Sequence, residues 1–135
     1  MKIVLDASVL IAAFAARGLC EALFELCLEK HEIATSAPIL EEVREKLVTK
    51  IKLPKATVEE LIGFLERQAT SVQPAEVPTD ACRDPDDLMV LGTATGANAS
   101  FIVTGDRDLL TLGSYEGVSI GTPRIFWEAQ SQAPT

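Results

Sequence analysis

A chain of 135 residues that is 47% apolar and 24% charged can bury one sizeable core and is short for two, so a single domain over residues 1–130 with a frayed tail at 131–135 is expected. Its formal charge of −8 excludes the usual basic type of nucleic-acid binder, and no apolar run approaches the roughly 20 residues that span a bilayer. Three cysteines, odd in number and without a Cys-x-x-Cys pair, make neither a zinc site nor a disulfide framework, and the N-terminus lacks the features of a secretory signal; a cytoplasmic protein with no membrane partner is expected.

From the N-terminus, Lys2 to Leu5 reads as a short buried strand, and Ser8 is placed to cap an apolar helix over Val9 to Ala16. Asp6 therefore falls at the carboxyl edge of a sheet, where open α/β folds bind ligands. Leu19, Ala22, Leu23, Leu26 and Cys27 share one helical face, which predicts a packed helix from Leu19 to Lys30 and gives Cys20 and Cys27 to the core. Glu32 to Ser36 is a brief strand. Ser36 before Pro38 opens a helix to Lys50 that carries Glu41, Glu42 and Glu45.

Leu53-Pro54 breaks that helix, and Thr57 with Glu60 forms a capping box for another reaching Gln68. Ser71 to Val77, followed by Pro78, is an extended connection able to carry a short edge strand. An acidic loop from Asp80 then leads, through Asp84, Asp86 and Asp87, into an apolar helix ending near Gly96. Ala99 to Thr104 is a second buried strand, and Asp106 and Asp108 follow it as Asp6 follows the first. Val118 to Ile120 is the last strand, and Thr122-Pro123 opens the terminal helix. This alternation predicts an α/β protein, a three-layer α/β/α sandwich around a mainly parallel sheet.

Asp6, an acid of the Ser36 to Lys50 helix, one of Asp84, Asp86 and Asp87, and Asp106 or Asp108 come from four segments that this topology can bring to one edge. Singly, each has an ordinary structural role: helix cap, turn, or solvated helix face. Together, several ionised carboxylates repel one another unless a cation neutralises them, and an all-oxygen set suits a hard divalent ion, Mg²⁺ or Mn²⁺. The chemistry this implies is phosphodiester hydrolysis by water activated at the metal, which requires no general-base histidine; the sole histidine, His31, lies at a helix end.

At these positions the sequence resembles the PIN-domain nucleases, in particular the single-domain bacterial and archaeal toxins of toxin–antitoxin pairs (VapC-like). The resemblance covers nearly the whole chain. It rests on Ile3-Val-Leu-Asp6-Ala-Ser8-Val-Leu, Ser36-Ala-Pro-Ile-Leu-Glu-Glu42-Val, Asp84-Pro-Asp-Asp87-Leu-Met-Val-Leu-Gly-Thr-Ala and Phe101-Ile-Val-Thr104-Gly-Asp106-Arg-Asp108-Leu-Leu, in that order, and on the closing Thr122-Pro-Arg-Ile-Phe-Trp-Glu. The family's four acids fall on Asp6, Glu42, Asp87 and Asp106, the implied catalytic metal ligands; Ser8 and Thr104 match supporting hydroxyls, and Asp108 an additional acid. Glu42 is taken over its neighbour Glu41, a choice that turns the side chain by about 100° around the helix. Asp87 is taken for its spacing to the Leu-Met-Val-Leu-Gly-Thr-Ala run, which leaves Asp84 as a cap and Asp86 as an outlying acid.

The resemblance implies a Mg²⁺- or Mn²⁺-dependent endoribonuclease acting on an RNA substrate, restrained by a cognate antitoxin protein, and a homodimer whose interface would use apolar residues of the helices between Ser36 and Gln68. RNA would be held through the metal and local cations, with Arg17, Lys46, Lys50 and Lys52 as the candidates. A haloacid-dehalogenase-type phosphatase would carry Asp-x-Asp after the first strand, where this chain has Asp6-Ala-Ser8, and the acid pair and lysine of a receiver domain are not evident. The alternative that remains is a catalytically idle PIN-like module that binds RNA or protein.

Overall fold

Ile3, Val4 and Leu5 of the first strand, β1 (Lys2–Leu5), are each 0% exposed, and because successive side chains of a strand point to opposite faces, both sides of β1 are covered. The computed structural model describes residues 1–132. The remaining strands are β2 (Glu32–Thr35), β3 (Thr70–Ser71), β4 (Phe101–Val103), β5 (Ser114–Tyr115) and β6 (Val118–Gly121), joined in one sheet of order β3-β2-β1-β4-β6-β5. Every pairing is parallel except β5 with β6. Helices α1 (Ala7–Ala15), α2 (Leu19–Lys30), α3 (Ala37–Thr49), α4 (Lys55–Gln68), α5 (Pro85–Ala97), α6 (Arg107–Leu112) and α7 (Pro123–Gln132) cover the sheet, giving the α/β architecture that the strand–helix alternation predicts.

The chain leaves β1 for β2 on one side and returns to β4 on the other, with Ile3 opposite both Ile33 and Phe101. That change of direction opens a crevice beyond the carboxyl ends of β1 and β4, the place where open parallel sheets bind ligands. The core behind it holds Leu10 and Leu23 from α1 and α2, Leu47 and Leu65 from α3 and α4, and Leu91 and Phe126 from α5 and α7. Among the described residues no single helix is long and apolar enough to cross a membrane; the consecutive apolar helices α1 and α2 meet at 109° and pack on each other.

Helix α5 is buried on several faces, and two glycines allow a strand-like segment to lie against it. A Cβ at Gly92 would stand 2.5 Å from the carbonyl oxygen of Ala75, and one at Gly96 2.7 Å from that of Gln73, while the Ala75 N–H donates to the Gly92 carbonyl at 2.9 Å. The helix ends at Asn98, whose left-handed φ of 54° suits asparagine.

Several local expectations are corrected. Helix α1 begins at Ala7, and its cap is Asp6, with extended φ and ψ and a carboxylate accepting the Ala7 N–H; Ser8 already lies within the helix. Helix α4 starts at Lys55 with Pro54 in the cap position, so Thr57 and Glu60 are interior and form no capping box. Ser36 does precede α3, but its hydroxyl bonds the Thr93 hydroxyl at 2.7 Å in place of capping. The hairpin strand β5 was not anticipated; its turn, Glu116-Gly117, has positive φ at both residues, the geometry that matches strand twist in a two-residue turn. Helix α7 includes Ser131 and Gln132 of the expected tail, and 133–135 lie outside the described residues.

Candidate active site

Asp6 is fixed from three directions. Its N–H extends the β1–β4 ladder to the Val103 carbonyl at 3.0 Å, one carboxylate oxygen accepts the Ala7 N–H at 2.7 Å, and the other accepts the Thr104 hydroxyl at 2.6 Å. Thr104, wholly buried just past β4, also accepts the Asp106 N–H at 3.0 Å, so one hydroxyl ties the loop after β4 to the end of β1. Asp106 in turn caps α6 by accepting the Leu109 N–H at 3.1 Å. Asp108 stands in the first turn of α6 and faces Arg83 at 3.5 Å.

Asp84 caps α5 through the Asp86 N–H, as its position before Pro85 suggests, and Asp87 one turn on is only 5% exposed. Carboxylate oxygens of Asp84, Asp87 and Asp106 all lie within 4.8 Å of one another. Asp84, which the sequence allows as a cap or as one of the loop's candidate acids and which the resemblance leaves as a cap, is both a cap and a neighbour of Asp87, because i, i+3 spacing stacks the two side chains on one face. Cys82, a buried thiol outside every expected role, approaches Asp87 with its sulfur 3.8 Å from a carboxylate oxygen.

These acids line a cavity of about 460 Å³ together with Ser8 and the α3 acids Glu41, Glu42 and Glu45, and its lining contains no lysine, arginine or histidine. The two α3 candidates differ in their surroundings. Glu41 is engaged by the guanidinium of Arg44, which also bonds Glu59 at 2.8 Å. Glu42 is partly buried toward the cavity, and its carboxyl is raised first by burial, then by the charges of Asp6 and Asp86, with Lys46 opposing. Of the cations proposed for RNA, neither Arg17, Lys46, Lys50 nor Lys52 lines the cavity.

The electrostatics are those of a charged set held out of water. Burial raises the Asp6 carboxyl, the bonds from Thr104 and Ala7 oppose it, and Asp106 and Asp84 add repulsion. Asp87 is pushed up to about 8, by burial first, then by a hydrogen bond and charge from Asp106, with Asp84 and Asp6 adding to it. Without a cation, Asp87 therefore keeps its proton at neutral pH beside Asp106. An all-carboxylate donor set of this spacing fits a hard divalent ion, whose charge would replace that proton.

A PIN domain family model matches residues 2–108. Curated proteins give no match. Among solved structures the chain is similar to VapBC2 from Rickettsia felis, in a crystal structure bound to a DNA fragment from their promoter, with a TM-score of 0.65 at 15% identity over 89% of this chain and 97% of that one. It is also similar to FitAcB from Neisseria gonorrhoeae, with a TM-score of 0.57 at 17% identity over 90% and 98% of the two chains. At those identities the likeness is one of fold.

Proposed function

Because the chain belongs to the PIN-domain family, whose members are generally nucleases, we propose that it is a Mg²⁺- or Mn²⁺-dependent endoribonuclease and the toxin component of a type II toxin–antitoxin pair. The observation that carries the catalytic part of this reading is the meeting of Asp6, Glu42, Asp87 and Asp106, from four separate stretches of chain, in one cavity whose lining includes no lysine, arginine or histidine. Such an arrangement destabilises a metal-free protein, and a divalent ion relieves it. The toxin assignment is supported by the sequence motifs shared with toxin-type PIN domains and by the likeness in fold to VapBC2 and FitAcB.

In this reading Asp6, Asp87 and Asp106 hold the ion, Glu42 closes the site from α3, and Asp84, from its position beside Asp87 and Asp106, is added to the set. When bound, the ion supplies positive charge at a phosphodiester and favours ionisation of an attacking water. The protein's own contribution is orientation. Thr104 fixes an oxygen of Asp6 and the backbone of Asp106 with one hydroxyl, the helix start at Ala7 fixes the other oxygen of Asp6, and α6 turns the Asp106 carboxylate by its cap bond. Ser8 lines the same cavity, and Asp108 stands outside it, where it engages Arg83. The partners are an RNA substrate, a cognate antitoxin and a second copy of the chain as a homodimer, and the place of action is the cytoplasm.

The test is to induce the wild type and Asp6→Asn in cells at matched soluble levels and map new RNA 5′ ends across the transcriptome. Discrete ends formed only by the wild type are expected. Identical end maps from two folded proteins would overturn the nuclease reading.

A further inference from the structure

A chain of formal charge −8 keeps one stretch of concentrated positive charge. Lys46, Lys50, Lys52 and Lys55 lie at the end of α3, in the turn after it and at the start of α4, and all four are exposed. Between Arg44 and Lys55 the sole acid is Glu45, and Arg44 is already taken by Glu41 and Glu59. Among the described residues none of the four lysines is in an ion pair, although the chain has 20 acids to offer, whereas Arg83 and Arg124 each face a carboxylate. Local stability does not ask for these lysines. Lys52 holds a left-handed backbone, φ 63°, that glycine adopts without strain, and Lys55 sets a cation at the positive end of the α4 dipole in a first turn that has no acid.

The stretch begins at the acid cavity. Glu42 lines that cavity, and Lys46 and Lys50 follow it at i+4 and i+8, so the three share one face of α3 over about 12 Å. Lys46 is near enough for its charge to act on the Glu42 carboxyl. We propose that this row, continued through Lys52 to Lys55, is the surface that receives the phosphate backbone of the RNA substrate on one side of the cleaved bond; the proposal rests on the nuclease reading above. A phosphodiester held at the acids has further phosphates on the same strand, and an acid lining repels them. Unpaired ammonium groups leading away from the cavity meet those phosphates as the strand leaves, and each contact adds affinity by releasing counterions without reading a base. An acidic protein segment would meet the same charge, but RNA is favoured because the row starts at the cavity where the phosphodiester is held.

The full chain carrying Asp6→Asn is titrated, at a fixed low concentration of Mg²⁺, with a fluorescein-labelled oligouridylate over a series of salt concentrations. The titration is repeated with Lys50→Gln and Lys55→Gln added, two positions outside the cavity lining. Lys30→Gln with Arg67→Gln, on α2 and α4, makes the same change in net charge elsewhere. The expected result is a salt slope shallower by about 1.4 and affinity lower on the order of tenfold for the turn pair, with neither change for the second pair. On an otherwise wild-type chain the turn pair should raise KM for the RNA that the wild type cleaves on the order of tenfold and lower kcat far less. Lys52→Gly should raise the melting temperature, by releasing the left-handed strain, while weakening binding, a combination that a merely solubilising lysine would not produce.

Slopes equal in all three proteins, from a chain whose wild type cleaves RNA, overturn the surface and leave the nuclease reading standing. An equal loss from both pairs reports net charge alone and also overturns the surface. A loss confined to the turn pair without wild-type cleavage supports the surface and removes the nuclease, and no binding with no cleavage overturns both. Polyglutamate that displaces the oligouridylate at equal charge overturns RNA as the occupant and assigns the turn to an acidic protein segment.

Discussion

Two sets of acids lie a few residues apart on this molecule under opposite conditions. On α3 and α4, Glu41, an exposed residue at the rim of the acid cavity, and Glu59 share the guanidinium of Arg44 in water. At the crevice beyond β1 and β4, Asp6 and Asp87 are buried among other carboxylates, with hydroxyl, thiol and backbone partners and no cationic side chain in the cavity lining. The first arrangement is what a folded surface does with charge at little cost or gain. The second opposes folding, because each carboxylate loses hydration and gains a like neighbour. A fold retains such a cluster when the ion it takes up, or the chemistry it performs, offsets the loss, and the difference between the two sets supports the proposed site in the crevice independently of any relative.

The sharpest way to break this comparison is to neutralise one acid from each set. Asp87→Asn should lower RNA cleavage by at least on the order of 100-fold, yet raise the melting temperature of the metal-free protein, since a buried amide is tolerated where a buried carboxylate is not. Cleavage assays and thermal melts in a chelator check both halves. Loss of activity accompanied by a lower metal-free melting temperature would mean that Asp87 is a structural acid. Glu41→Gln should do neither.

Next in size is the threonine that serves two acids. Thr104→Val removes the donor to Asp6 and the acceptor of the Asp106 N–H at a wholly buried position, so a loss of about 1–3 kcal/mol in stability and roughly 10–100-fold in activity is expected. Thr104→Ser, which keeps the hydroxyl, should recover most of the activity. Denaturant unfolding and cleavage rates of the two variants separate the hydroxyl's part from that of the methyl group.

The pH dependence of the metal-free protein follows from Asp87. Its carboxyl titrates at about 8 in the folded chain against an ordinary value of 3.8. Between those values the native state holds a proton that the unfolded state has released, so stability falls as pH rises through that window, by at most about 1.4 kcal/mol per pH unit, and levels off above it. The raised carboxyls of Asp6 and Glu42 act in the same direction. Saturating Mg²⁺ competes for the same oxygens, and at a hundredfold excess over Kd it should restore about 2.7 kcal/mol at neutral pH and less in acid, where the carboxyls are protonated. Melts across pH with and without metal test this; a flat metal-free profile would remove the repulsion on which the comparison rests.

How much of this was legible in the chain depended on how far each signal extends. Ile3 to Leu5 and Phe101 to Val103 are the apolar runs that a sheet buried on both faces demands, the first followed at once by Asp6 and the second, after Thr104 and Gly105, by Asp106, so the crevice and Asp6 could be located from the sequence. Asp6 as helix cap was missed because Ser8 is also a good capping residue; backbone geometry decides, with Asp6 extended and Ser8 already helical. β5 is two residues long and has no periodicity to detect. Asp84 is the cap that its place before Pro85 implies, and a side chain with one backbone bond still has oxygens to present; its spacing to Asp87 is in the sequence, while its approach to Asp106 depends on the fold. The segment after β3 was readable as extended chain, while its close approach to α5 depends on Gly92 and Gly96, which in sequence look like weak points in a helix.

The smallest effect is expected from Arg44→Ala, and it is the control that gives the others meaning. Arg44 bonds two exposed glutamates, so its removal deletes more ion-pair contacts than any single change in the crevice. Those pairs are screened by solvent and hold long side chains at an entropic cost, so the change in stability should stay under about 1 kcal/mol and shrink further in high salt. Cleavage should be unaltered, since Arg44 does not line the cavity. If denaturant melts instead showed a loss as large as that of Thr104→Val, the α3–α4 face would have to be buried in the working form of the protein, as the proposed homodimer would require of part of these helices, and the concentration dependence of the melting temperature would then tell a subunit interface from a free surface.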